Sequence, residues 1–189
     1  MLAFVATDAE ISSVFLDRLF RQAVSASFNR ITVDGDTSTN DAAMMAATGC
    51  SGIAIEAEGA EAVAAFTQAL ESLCLELAQA IIRDGEGATK FVEVQVDGGA
   101  DADECDAVAY TIAHSPLVKT ALFASDPNWG RLLAAIGRAG LKNLCVEDVS
   151  LYLNDVLIAV NGARAPEYTE AQGQIAMAPT ELTIRIDLK

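Results

Sequence analysis

Apolar and polar residues run along this chain in two rhythms, and those rhythms mark out strands and helices before any single residue is considered. Leu2 to Ala6 is a short unbroken apolar run that predicts a strand. Thr7-Asp8 behind it are good helix caps, and Ile11, Val14, Phe15, Leu19 and Phe20 then recur at helical spacing. Ile31-Thr32-Val33 is β-branched throughout and predicts a second short strand. The run AAMMAAT, residues 42–48, consists of strong helix formers and predicts a short helix, capped by Asp41 and stopped by Gly49. Gly52 to Ala57 reads as another strand. The longest helical segment runs from Ala60 to Arg83, with Val63, Phe66, Leu70, Leu73 and Leu77 on one stripe and Arg83 suited to the negative helix end.

Phe91-Val92-Glu93-Val94-Gln95-Val96 alternates as a half-buried strand does and ends at Asp97-Gly98-Gly99. A helix is predicted from Ala102 to His114, another after Ser115 as cap with Pro116 in its first turn, and a third from Asn128 to Arg138 before Gly140. Val149 to Leu153 and Val156 to Val160 predict two strands joined by a tight hairpin at Asn154-Asp155, and Glu181 to Leu188 predicts a closing strand. No repeat or low-complexity linker interrupts the series. Such a mixture of helices and strands indicates α/β or α+β layers.

Composition narrows the class. At 189 residues a single domain, 1–189, is the expectation. The chain is 52% apolar and 21% charged, yet no uncharged apolar stretch is long enough to span a bilayer. No basic segment followed by an apolar one opens the chain as an export signal would. Cys50, Cys74, Cys105 and Cys145 are widely spaced without a CxxC pair, which disfavours a zinc site or disulfide framework and points to free buried thiols in a reducing cytoplasm. A formal net charge of −15 argues against nucleic acid or anionic membrane as partners and weakly favours cationic substrates.

The glycine-flanked acid Gly85-Glu86-Gly87, followed by Ala88-Thr89-Lys90, first suggests a phosphate cradle. Such cradles lead from strand through loop into a helix N-terminus, whereas this loop follows a helix and precedes a strand, and its spacing is not GxxxxGK[ST]. Gly85 is better read as a left-handed helix C-cap, and Glu86, on the local residues alone, as an exposed loop acid. DGDTSTND resembles a calcium loop only at Asp34, Asp36 and Ser38. Thr39 stands at the glycine position and Met45 where the bidentate Glu belongs, so Asx-type turns are the reading and no metal site is expected. His114 is the only histidine, and with Ser115 beside it at a cap it reads as a helix-end residue rather than a catalytic base. SDPNWGR, residues 125–131, reads as a turn into a helix, with Trp129 packing and Arg131 available to pair an acid.

Five strings, MLAFVATDA, FNRITVDGDTSTND, DGEGATKF, SPLVKTALFASDPNWGR and YLNDVLIAVNG, taken in order over nearly the whole chain, resemble the ornithine acetyltransferase family, the bifunctional glutamate N-acetyltransferases of arginine biosynthesis. The resemblance implies an α/β fold with two sheets between helical layers, in helix-sheet-sheet-helix order, and a precursor that cuts itself in two. This chain is similar to most of the resulting β chain. The family's nucleophile is the β chain's first residue, a threonine immediately before the MLAF segment, so it would stand before Met1 and no catalytic residue lies in this chain. The threonine's own α-amino group would serve as local base. Glu86, in the DGEGA motif, corresponds to the family's substrate-binding glutamate, either holding a substrate amine or helping to deprotonate it.

The family's oxyanion donors lie on its α chain, and a C-terminal tail carrying further substrate-binding residues, an Asn among them, would lie beyond Lys189. The chain alone is therefore expected to be inactive. The implied reaction moves acetyl from N-acetylornithine to glutamate with no cofactor, acetyl-CoA being a co-substrate in bifunctional members. The implied partners are the α chain of the same precursor and a second αβ unit. The alternative is a non-catalytic subunit that keeps the fold without the nucleophile.

Overall fold

The run Leu2–Thr7 forms strand β1, and its alternation decides what lies beside it: Ala3 and Val5 are buried while Leu2, Phe4 and Ala6 are exposed. The computed structural model describes residues 1–57 and 59–189. Contacts divide the chain into two compact units, Met1–Gly85 and Glu86–Lys189.

In the first unit β1 pairs in parallel with β2 (Ala42–Ala47), from Leu2 beside Ala42 to Thr7 beside Ala47. This corrects the helix predicted for AAMMAAT and the capping role given to Asp41. Alanine and methionine favour helices, but six or seven residues are too few for a helix to stand on propensity, and pairing with β1 while Met45 packs on the core outweighs it. α1 (Ser13–Ala26) starts after Ser12, not after Thr7-Asp8, because β1 continues through Thr7. Ser12 is held by Glu56, its N–H donating to Oε2 at 2.9 Å and its hydroxyl to Oε1 at 3.0 Å.

The strand expected at Ile31–Val33 does not form; a 3-10 turn, Phe28–Arg30, runs instead into bends, and Ile31 packs on the core. Gly52–Ala57 likewise gives only one parallel bridge, Ala54 with Glu10, before the Ala57 N–H turns back to the Ala54 carbonyl at 2.9 Å. α2 spans Ala60–Arg83 as predicted. Its inward residues are Leu70, Cys74 and Ala78, which join Ala3, Val5, Leu19 and Ala23 in the core, while Leu73 and Leu77 of the predicted stripe are 42% and 38% exposed. Small side chains at 74 and 78 let the helix lie close. Cys74 is the buried thiol, its pKa pushed up by burial, whereas Cys50 and Cys145 are exposed, so the four are free but not all buried.

The second unit is a five-stranded sheet in the order β3-β7-β4-β5-β6, comprising β3 (Phe91–Asp97), β4 (Ser150–Leu153), β5 (Val156–Val160), β6 (Ala163–Arg164) and β7 (Glu181–Asp187). β3 and β7 are parallel; β4 pairs antiparallel with both β7 and β5. Leu182, Ile184 and Ile186 alternate into a core shared with Val149, Leu151 and Ile158. Against it lie α3 (Ala102–Ala113), α4 (Pro116–Phe123), α5 (Trp129–Gly137) and α6 (Glu170–Met177).

Three caps form: Ser115, the predicted one, accepts from Val118 N–H, while Asp101 accepts from Glu104 N–H and Asn128 from Arg131 N–H. The hairpin at Asn154-Asp155 also forms, with Asn154 at φ 52°. Its side chain does more than turn the chain: Oδ1 accepts from Thr183 N–H at 2.9 Å and Nδ2 donates to the Ala176 carbonyl at 3.0 Å.

α6 and β6 were not predicted. α6 did carry a signal, because Thr169-Glu-Ala-Gln172 has the capping-box spacing and both reciprocal hydrogen bonds form. Tyr168, just before it, is buried with a hydroxyl that finds no hydrogen-bond partner among the described residues and rests over Gly173, beside Pro127. A side chain at 173 would collide with both. Gly173→Ala is therefore expected to cost about 1–3 kcal/mol by overpacking. Tyr168→Phe, which removes an unpaired buried hydroxyl, should be neutral or stabilising and should lessen that cost, with urea unfolding of the single and double variants as the measurement.

Candidate functional site

The segment from Asp84 to Lys90 is built from the end of one element and the root of another. α2 closes at Asp84, whose N–H donates to the Ala80 carbonyl at 3.0 Å, and Gly85 N–H donates to Ile82 O at 3.2 Å. Gly85 is not the left-handed residue expected; Gly87 is, at φ 70°. An added Cβ at 87 would meet nothing within 4 Å, so glycine is needed there for backbone conformation and not for room. The result is a turn that carries Glu86 outward.

Glu86 is exposed and has no hydrogen bond or ion pair among the described residues. Lys90 is the opposite case. Its ammonium donates to the carbonyls of Met177 at 2.8 Å and Pro179 at 3.0 Å, taking up backbone acceptors at and just beyond the C-terminal end of α6, where a cation is favoured. Phe91 N–H donates to Thr180 O at 2.8 Å and starts the β3-β7 ladder beside it. The lysine that made the loop look like a phosphate cradle is thus a structural tie, and the glutamate is the free charge. An unpaired carboxylate on an open turn can take an ammonium group; it supplies no nucleophile.

The other candidates stay structural. His114 caps the end of α3, exposed, its ring 5.6 Å from that of Tyr110, while the Ser115 hydroxyl serves Val118. Asp34 accepts from Asp36 N–H at 2.8 Å in an Asx turn. Among the described residues Arg131 pairs no acid; its guanidinium donates to Leu117 O at 2.9 Å and to the Thr120 hydroxyl at 3.0 Å, so it ties α5 to α4. Asp126, Pro127 and Asn128 border a small, mostly apolar cleft floored by Val118, Leu132 and Ile158.

Sequence reasoning passed over Tyr168, whose pKa is raised first by burial and then by the charges of Glu170 and Asp126. Burial of a tyrosine in a loop has no sequence signature, and only the capping box after it marks the place.

A model of the ArgJ family matches residues 1–189. The chain belongs to that family. The arginine biosynthesis bifunctional protein ArgJ of Pseudomonas fluorescens (strain Pf0-1) is 56% identical over 190 residues, which cover all of this chain and 47% of that protein. The ArgJ protein of Methylococcus capsulatus (strain ATCC 33009 / NCIMB 11132 / Bath) is 54% identical over 188 residues, covering all of this chain and 46% of that protein. This chain therefore spans about half the length of the curated ArgJ relatives it matches. Among solved structures, that of the ArgJ protein from Bacillus halodurans shares the fold at a TM-score of 0.92 and 37% identity, over 100% of this chain and 88% of that one. The α/β class expected from the sequence is thus the fold observed.

The two charges of the loop separate in a stability measurement. Lys90→Met is expected to destabilise the protein by about 1–3 kcal/mol, because two carbonyls lose a charged donor. Glu86→Ala should stay within about 0.5 kcal/mol of the parent, as an exposed residue without partners does. Chemical denaturation of both variants decides this.

Proposed function

We propose that this chain is most of the β chain of an acetyltransferase of arginine biosynthesis, a glutamate N-acetyltransferase that moves acetyl from N-acetylornithine to glutamate through an acetyl-threonine intermediate. The observation that carries this reading is the ArgJ-family match over residues 1–189, with relatives named as bifunctional arginine biosynthesis proteins. The nucleophile is a threonine encoded immediately before Met1 and freed by self-cleavage of a longer precursor. Its hydroxyl oxygen attacks the acetyl carbonyl of N-acetylornithine and its α-amino group accepts the proton. That proton passes to the departing nitrogen, ornithine leaves, and the neutral amine of glutamate takes the acetyl group and restores the hydroxyl.

Lengths support the two-chain arrangement: this chain spans 47% of one curated relative but 88% of the chain in the solved relative. The companion α chain supplies the oxyanion donors, and two αβ units pair. Glu86 supports the substrate assignment, since its unpaired carboxylate suits the ammonium of ornithine and, in the second half-reaction, positions or deprotonates the amine of glutamate. The name bifunctional supports acetyl-CoA as a further acetyl donor. Among the described residues no helix is long and apolar enough to cross a membrane, and the cytoplasm is the proposed location.

Intact mass of the expressed precursor is the first test: two fragments cut before a threonine preceding Met1 are expected, and a single uncut mass or another residue there favours a non-catalytic subunit instead. In the complete two-chain enzyme, Glu86→Ala should lower kcat/KM for N-acetylornithine about ten- to a hundredfold, the worth of a hydrogen bond to a charged group. Unchanged kinetics would remove Glu86 from the site.

A further inference from the structure

Asp41 stands at the root of strand β2, not at a helix N-terminus, and its carboxylate has another partner. The Met1 nitrogen, here an α-ammonium, donates to Asp41 Oδ1. Beside this contact Ala42 N–H donates to the Met1 carbonyl at 3.1 Å, and the parallel register then runs from Leu2 beside Ala42 to Thr7 beside Ala47. Among the described residues the Asp41 carboxylate has no other hydrogen bond or ion pair. The fold has little need of it. The Asp41 side chain is 46% exposed and so placed a pair contributes at most about 1 kcal/mol, whereas the whole β1-β2 ladder fixes the register.

We infer that Asp41 is the positioning residue of the nucleophile, an inference that rests on the threonine which the proposed function puts immediately before Met1. In that chain the Met1 nitrogen is the amide joining threonine to Met1, and its N–H is the donor to Asp41. A peptide unit is planar, so holding this N–H aims the threonine carbonyl and fixes the threonine Cα in the same plane. The bond from Ala42 holds the following peptide unit at the Met1 carbonyl. With two consecutive planes held, the nucleophile keeps only the rotations about its own bonds. The tie needs an acceptor oxygen and no charge, which separates it from the role of Glu86, whose charge suits a substrate ammonium.

The test compares the complete two-chain enzyme with Asp41→Ala, Asp41→Asn and, as a control, Glu56→Ala, which removes the two hydrogen bonds to Ser12 in the same unit. kcat and KM for N-acetylornithine are measured per cut β chain, counted by intact mass. Asp41→Ala should lower kcat about ten- to a hundredfold, as a small misplacement of a reacting group does, and leave KM within about twofold of the parent. Asp41→Asn should recover most of that loss, because its carboxamide oxygen accepts from the same N–H, and Glu56→Ala should keep the parent kcat. An Asp41→Ala precursor that folds and stays uncut while Asp41→Asn is cut supports the same role, since the cut also needs the residue before Met1 in place. Four results overturn the inference: an unchanged kcat in Asp41→Ala, a raised KM at unchanged kcat, a loss in Asp41→Asn as deep as in Asp41→Ala, or an equal loss in Glu56→Ala. A parent precursor that stays uncut sinks the acetyltransferase reading and this inference with it; a cut, active parent beside a fully active Asp41→Ala sinks the positioning role alone.

Discussion

The pairing of β3 with β7 is the constraint on which the second unit depends. Residues 91–97 and 181–187 run in parallel, seven against seven, and the same β7 presents its other edge to β4. Leu182, Ile184 and Ile186 bury one face of that strand, so a slip of one residue would turn all three away from the core and bring Thr183 and Arg185 in. Asn154 and Lys90 then fasten the surroundings: one clips the hairpin to Thr183 and α6, the other ties the root of β3 to the end of α6. The Glu86 turn leaves from a root that is fixed by this arrangement.

Most elements were legible because their signals are local. The stripe through Val63 and Phe66, the alternation of Phe91 to Val96 and the cap at Ser115 each need only their own neighbours. What failed needed distant partners. AAMMAA has the composition of a helix and becomes a strand because β1 stands ready to pair with it. The stripe drawn through Leu73 and Leu77 is displaced because the close approach of α2 selects Cys74 and Ala78. α6 was overlooked although its capping box was in view, its helix being short and only weakly patterned.

The site was legible in part. Order along the chain, helix then loop then strand, excluded a phosphate cradle, and the structure gives the reason a physical form: Lys90 is spent on carbonyls while Glu86 is unpaired. The glycine assignment went to the wrong one of two, since Gly85 and Gly87 look alike in sequence and only the path of the turn separates them. A single acid on a turn does not announce a reaction. Its significance came from the family pattern around it, which no periodicity or charge count contains.

β7 is late in the sequence and interior in the sheet, between β3 and β4. During synthesis, β3, β4 and β5 must therefore leave the ribosome and wait, with a place open in their midst, until residues 181–187 follow. For that interval the buried faces of Leu151 and Ile158 have no Ile184 or Ile186 to meet, and the unit is at its most vulnerable to pairing with another nascent chain. A sheet in which an interior strand arrives last exchanges a fast, stepwise assembly for one that closes all at once.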